Sequence, residues 1–146
     1  MKLDIKIINE YVEKGLLLKQ KHPEFPIYIY NYSRKVQYEK LWDDITLMAR
    51  GLILDDNGNV IAKGFDKFFN LDQLESVGLK VPNEDFEVYD KMDGSYICCF
   101  FYNNRWIISS KGSFTSDQAQ KGYELLNKYD ANKLDKKNSY IFEIIY

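Results

Sequence analysis

Apolar residues recur at helical spacing at Ile8, Tyr11 and Val12, which predicts an N-terminal helix ending near Gly15 or Lys21. Pro23 and Pro26 mark a break. From Ile27 to Tyr32 aliphatic residues alternate with tyrosines, the period-two pattern of a strand. Trp42 to Met48 fits neither period well and predicts a helical turn. The clearest signal is a hairpin. Ala49 to Leu54 is one strand, Asp55-Asp56-Asn57-Gly58-Asn59 is the turn, and Val60 to Phe65 is the return strand. Asn-Gly suits such a turn because it tolerates positive φ. Asp72 to Val77 predicts a short helix. Phe86 to Lys91 and Tyr96 to Tyr102 read as strands on either side of a polar turn, and Arg105 to Ser110 as another after Asn103-Asn104. Thr115-Ser116-Asp117-Gln118 has capping-box spacing and opens a helix carrying Ala119, Leu125, Leu126 and Tyr129. Lys133 to Asn138 is polar and reads as a loop, and Tyr140 to Tyr146 is a last apolar strand. Hairpins with interspersed helices predict an α+β fold, with a mainly antiparallel sheet and flanking helices.

Composition narrows the class. With 146 residues, the chain is long enough for one domain with a real core. The 12 tyrosines and 9 phenylalanines favour sheet. A net charge of −2 means that any attraction to a polyanion must come from local clusters of Lys and Arg. Cys98 and Cys99 are adjacent and point to opposite faces of a strand, so a disulfide between them would be strained. They read as reduced strand residues of an intracellular protein. A single histidine, His22, and no spaced Cys/His set predict no structural metal site. The charged start Met1-Lys2-Leu3-Asp4 is unlike a signal peptide, and no apolar run approaches membrane-spanning length. The expectation is a cytoplasmic protein with no membrane partner.

Chemistry concentrates at Lys91-Met92-Asp93-Gly94-Ser95, set between two apolar runs. Ordinary residue usage produces the Lys-x-Asp-Gly pattern by chance in about 3% of chains this long. A solvated lysine beside an Asp-Gly hairpin turn would give the same letters. Phosphoryl-type chemistry at a lysine would have definite requirements. Such an amine must be neutral to attack, so burial or nearby cations must lower its pKa. Further cations and Mg²⁺ must neutralise a triphosphate. A carboxylate and an aromatic wall should hold the nucleoside.

The neighbours supply each need, and their order carries a resemblance. Lys91-Met92-Asp93-Gly94-Ser95 resembles the first motif of the covalent nucleotidyltransferases, which are DNA ligases, RNA ligases and capping enzymes. Ala49-Arg50-Gly51-Leu52-Ile53-Leu54 is similar to the upstream Arg-Gly strand of RNA ligases. Phe65-Asp66-Lys67-Phe68-Phe69-Asn70-Leu71 resembles the Lys-Phe-Phe-Asn segment of the bacteriophage RNA ligase 1 family. Ser110-Lys111-Gly112-Ser113 resembles that family's Ser-Lys-Gly-Ser segment, and Tyr140-Ile141-Phe142-Glu143-Ile144 its third motif.

By position, the resemblance implies that ATP adenylylates Lys91. It implies that Arg50, Lys67 and Lys111 contact phosphates or tune the site's potential, that Phe69 lines the adenosine pocket, and that Glu143 contacts the ribose or the adenylylated lysine. Asp93 and Gly94 complete the motif. Glu143 sits in an apolar run, so a buried carboxylate with partners is expected. The implied cofactors are ATP and Mg²⁺, with no metal held by protein ligands alone. The implied partners are RNA ends bearing a 5′-phosphate and a 3′-hydroxyl.

The resemblance also implies a Lys-Glu-Gly strand and a Lys-x-Lys strand after the third motif, then a C-terminal domain. The chain stops three residues after Glu143. Residues 1–146 are therefore expected to be the N-terminal portion of an adenylyltransferase domain, incompetent for ligation alone. Two other readings stay open: a DNA ligase or a guanylyl-transferring capping enzyme, and a non-catalytic nucleotide- or RNA-binding remnant.

Overall fold

Two antiparallel sheets face one another across an apolar core, and each carries helix on its outer face. The computed structural model describes residues 1–146. In the first sheet, β1 (Leu17–Lys21), β2 (Ile27–Tyr32), β3 (Arg50–Asp55) and β4 (Val60–Ala62) lie side by side in chain order. In the second, β5 (Ser95–Tyr102) is central, flanked by β6 (Arg105–Ser109) and β7 (Tyr140–Ile144). The helices are α1 (Ile5–Glu13), α2 (Arg34–Glu39), α3 (Asp44–Met48) and α4 (Asp117–Leu126).

Strand alternation builds the layers. Ile27 and Ile29 of β2 and Ile53 of β3 point toward the second sheet, where they meet Cys98 and Phe100 of β5, Ile107 of β6 and Phe114. The intervening residues Tyr30, Leu52 and Leu54 point away and pack with Ile8 of α1 and with Ala49. On the far side of the second sheet, Ile97, Cys99, Ile108 and Ile144 pack against Ala119 of α4. Cys98 and Cys99 thus enter two different cores. Both are free, and burial pushes their thiols up to about 12 and about 11. Neither is a nucleophile at neutral pH.

Several expectations meet the structure closely. Helix α1 begins with the Asp4 carboxylate accepting from the Lys6 N–H at 2.9 Å. It ends at Gly15, where Leu16 N–H donates to Tyr11 and Gly15 N–H to Val12, the paired bonds of a Schellman stop. Leu17–Lys21 is then a strand rather than more helix. Trp42 to Met48 holds α3, closed by a capping box between Asp43 and Thr46. The cap of α4 is Ser116, whose hydroxyl accepts from Ala119 N–H, one residue later than the Thr115 spacing suggests. Helix α2, capped by Ser33, is not foreshadowed by the apolar pattern. The expected helix at Asp72–Val77 is two single 3-10 turns, and β4 stops at Ala62.

One expected strand is absent. Phe86 to Lys91 forms no ladder, and Phe86, Val88 and Tyr89 are 83%, 84% and 78% exposed. Alternation predicts a strand only where a neighbour can supply hydrogen bonds. Both flanks of β5, the natural hairpin partner, are already taken by β6 and β7. No helix of the protein is long and apolar enough to cross a membrane.

Candidate active site

Arg50 opens β3, and a bulge aims it. Tyr30 pairs with Leu52 but Asn31 pairs with Arg50, so Gly51 is the extra residue on β3. Gly51 has φ +73°, a conformation that suits glycine. The Arg50 guanidinium then lies over two rings, 5.2 Å from the centre of Tyr96 and 5.5 Å from that of Phe68.

Lys91 lies four residues before β5, exposed and on irregular backbone rather than at a strand end. The turn after it is held by β7. Gly94 N–H donates to the Glu143 carboxylate at 3.1 Å. A Cβ at Gly94 would collide with the Ile144 carbonyl oxygen, so only glycine brings this backbone against β7. Glu143 itself is exposed, contrary to the buried carboxylate that its apolar neighbours suggest. The reason is register: Glu143 pairs with Tyr96, whose face looks toward the candidate residues, while Ile144 turns inward to α4.

Lys111 sits on the loop between β6 and α4. Ser110 N–H donates to the Ser113 carbonyl at 2.8 Å, and the Ser116 hydroxyl donates to that of Ser110 at 2.9 Å. Phe114 N–H donates to the Gln20 side-chain oxygen at 2.8 Å, and the buried Phe114 ring packs edge-on to His22. The loop is therefore pinned by β1, a strand far away in sequence. The Lys111 ammonium lies 5.2 Å over the Tyr32 ring.

These elements close around one open, polar recess of about 470 Å³. Arg50, Lys91, Gly94, Lys111 and Glu143 all line it, with Tyr96 and Gln118. Lys67 and Phe69 do not. They line an adjoining recess with Trp42, Lys40 and Gln37. Lys67 is still within electrostatic reach of the first. Burial, then the charges of Arg50 and Lys111, hold its ammonium below the ordinary lysine range. The Lys67 ammonium lies 4.7 Å over Phe69, whose ring meets Trp42 edge-on. Phe68 and Phe69 are both at least partly exposed. Asp93 is exposed and lines neither recess.

A further electrostatic observation concerns partners. The ion pairs of the molecule are Lys63–Asp66, Arg105–Glu24 and Lys121–Glu124. Arg50, Lys67, Lys91 and Lys111 belong to none of them. Glu143 lines the recess with Arg50, Lys91 and Lys111 but forms an ion pair with none of them, and Lys67 adds charge from the adjoining recess. Cations thus outnumber the one carboxylate, an excess that favours binding an anion. A second cleft, between α4 and β7, is lined by Ile97, Leu125, Phe142 and Ile144 and has no cation to offer a phosphate. No group of three or more His, Cys, Asp and Glu side chains could hold a metal ion on its own.

Sequence reasoning missed Tyr96, Gln118 and the serines around Lys111 as site residues. Tyr96 carried a usable signal, an aromatic directly after the Lys-x-Asp-Gly-Ser run.

An α+β protein with two antiparallel sheets and a lysine-bearing cationic recess has the architecture of a nucleotidyltransferase-like fold. Comparison with known proteins makes this specific. The family model described as RNA ligase matches residues 48–144, and the chain belongs to that family, the bacteriophage RNA ligase 1 type. A bifunctional polynucleotide kinase/RNA ligase of Autographa californica nuclear polyhedrosis virus, itself named as putative, is 33% identical over 107 residues. That alignment covers 62% of this chain and 15% of the viral protein.

Proposed function

We propose that this chain carries the lysine-adenylylation site of an ATP-dependent RNA ligase. The observation that supports it most is the gathering of Arg50, Lys91 and Lys111, with Lys67 beside them, none paired to a carboxylate. A triphosphate is the anion that such a recess fits. Lys91 is the nucleophile. Its amine lone pair attacks the α-phosphorus of ATP, a P–N bond forms, the bond to pyrophosphate breaks, and the amine loses its proton to solvent. Arg50 and Lys111 meet the phosphates, and Lys67 adds to the potential from the adjoining recess. Phe69 offers the nucleoside an aromatic wall. Glu143 holds Gly94 and so sets the turn that follows Lys91; Asp93 completes that turn.

Mg²⁺ commonly binds through one or two carboxylates plus substrate phosphates, and Glu143 is the carboxylate of this recess that would share it. Bound there, it would supply further positive charge to the phosphates. The AMP then passes to an RNA 5′-phosphate, and a 3′-hydroxyl displaces it to seal the strand. RNA ends as substrates are supported by family membership and by the name of the viral relative.

The family's Lys-Glu-Gly and Lys-x-Lys strands would add a carboxylate and two lysines to the site. Charge-assisted contacts contribute roughly 1.5–3 kcal/mol each. We therefore expect the 146-residue polypeptide alone to bind ATP weakly and to seal RNA little or not at all. The test is incubation with Mg²⁺ and α-labelled ATP or GTP, followed by 5′-phosphorylated RNA. Trace label from ATP only, on Lys91, supports the reading. Label from GTP would favour a capping-type enzyme, and no label at saturating ATP a non-catalytic remnant. Robust sealing would overturn the expectation of incompetence.

A further inference from the structure

Arg50 has neither an ion pair nor a side-chain hydrogen bond, and the groups beside its guanidinium are aromatic. Its guanidinium carbon lies 5.2 Å from the Tyr96 ring centre and 5.5 Å from that of Phe68, both within cation–π range. Phe68 is 51% exposed, so its ring lies at the surface beside the guanidinium.

Tyr96 is in turn built into the joint between the two sheets. It comes from β5 in the second sheet, but its tip enters a slot in the first. A Cβ on Gly51 of β3 would lie 3.2 Å from the Tyr96 hydroxyl, and a Cβ on Gly64, just after β4, would overlap that oxygen. The slot exists because both positions lack a side chain. The Tyr96 hydroxyl is buried, and the Cys98 thiol is the polar group beside it, a weak partner at best. The ring makes the contact with Arg50. Its pairing opposite Glu143 places ring and carboxylate on one face of the second sheet.

We propose that Tyr96 is a positioning residue for Arg50. With Phe68 it flanks the guanidinium, whose donors have no protein partner and are left for a phosphate in the recess. The proposal rests on the phosphate-binding reading of the recess given above. The pair Gly51 and Gly64 sets the depth of Tyr96 and hence the height of Arg50. An unanchored arginine would have to be ordered each time a phosphate bound, which weakens binding.

The test separates the grip from the ligand. In the full 146-residue chain, the Arg50 side-chain Nε–H and δ-proton resonances, assigned by their loss in Arg50→Lys, should be shifted upfield by the ring currents. Tyr96→Phe keeps the ring and should leave them in place. Tyr96→Leu removes the ring while keeping an apolar side chain, and should move them toward values of a free arginine. Titration with inorganic tripolyphosphate should weaken about tenfold in Tyr96→Leu and by less than about twofold in Tyr96→Phe, where tenfold corresponds to about 1.4 kcal/mol. Unmoved Arg50 resonances in Tyr96→Leu, or an equal loss of affinity in Tyr96→Phe, would overturn the proposal. If Tyr96→Leu does not fold, Phe68→Leu at the exposed face decides, and unchanged Arg50 resonances there overturn it as well. Tripolyphosphate binding that survives Arg50→Ala would sink the phosphate reading instead, while the resonances still report on the grip.

Discussion

The candidate site is assembled from two regions that are held in opposite ways. Arg50, Lys111 and Glu143 belong to the two-sheet body. Each sits on a strand or on a loop tied to one, beside core residues such as Ile53, Phe100 and Ile107 that are at most 2% exposed. Lys67, Phe69 and Lys91 belong to the stretch from Lys63 to Gly94, whose only regular structure is two 3-10 turns. That stretch is attached by few bonds: Lys67 N–H to the Leu47 carbonyl at 2.8 Å, and Gly94 N–H to Glu143 at 3.1 Å. On the proposed function, the phosphate-binding cations are placed by packing and the proposed nucleophile by a tether. A lysine that takes AMP and then yields it to another substrate is suited by light attachment over a fixed cationic floor.

The comparison can be broken at either region. Removing the amine has the largest effect: Lys91→Ala should abolish covalent labelling by ATP outright, with the fold unchanged by circular dichroism. Label that persists in the variant would place the nucleophile elsewhere. Next comes stability. Phe100, 1% exposed at the centre of the inter-sheet core, should cost about 3–5 kcal/mol when cut to alanine. Val88, 84% exposed in the tethered stretch, should change stability by under about 0.5 kcal/mol on the same substitution. Urea unfolding of both variants checks this, and similar costs would show that the two regions are not held differently.

A smaller effect tests the tether. Glu143→Ala removes the acceptor for Gly94 N–H, a contribution of about 1 kcal/mol. Hydrogen exchange at Gly94 should quicken about fivefold, while exchange at Ile107 stays the same. The smallest effect concerns pH. The Nδ1 of His22 accepts from the N–H groups of Glu24 and Phe25 at 3.1 and 3.2 Å, and its ring packs on Phe114 below the Lys111 loop. Burial, helped by the charges of Arg105 and Lys21 against that of Glu24, lowers the His22 pKa from its usual 6.5. The folded state therefore favours the neutral ring. Its contribution is present above pH 6.5 and is lost as pH falls through the depressed folded value. The urea midpoint should drop on acidification below pH 6.5, and that part of the drop should vanish in His22→Asn. An unchanged slope in the variant would assign it to carboxylates such as Asp43. Burial raises the Asp43 pKa, but bonds from Tyr11, Thr46 and Ile45 N–H bring it net below the usual range.

Where local pattern and local bonding coincide, the chain could be read directly. The Asp55–Asn59 turn closes on itself, with the Asp55 carboxylate accepting from Asn57 and Asn59 N–H at 2.9 Å each. Asn103 and Asn104 both take positive φ between β5 and β6, as an Asn-Asn hairpin turn allows. The Ser-Lys-Gly-Ser and Arg-Gly segments could be picked out because they resemble those of the RNA ligase 1 family and fall in its order.

What escaped the reading depended on neighbours distant along the chain. Phe86–Lys91 has the alternation of a strand but no partner, because β6 and β7 occupy both flanks of β5. Glu143 reads as buried from its apolar neighbours, yet cross-strand register with Tyr96 turns it outward. Leu17–Lys21 became a strand because β2 lay beside it.

While the motif order came as a resemblance, the amino-acid sequence by itself determined the α+β class, the Asp55–Asn59 hairpin turn and the identity of the charged residues. These follow from period, turn chemistry and residue type, which act over a few positions. Only the tertiary structure decided that Arg50, Lys91 and Lys111 share one recess while Lys67 and Phe69 face the next. It alone showed that β1 pins the Lys111 loop through Gln20 and that Tyr96 reaches across to Gly51 and Gly64. Those outcomes depend on which strands pair and how two sheets stack, and contacts between residues up to 94 positions apart carry them.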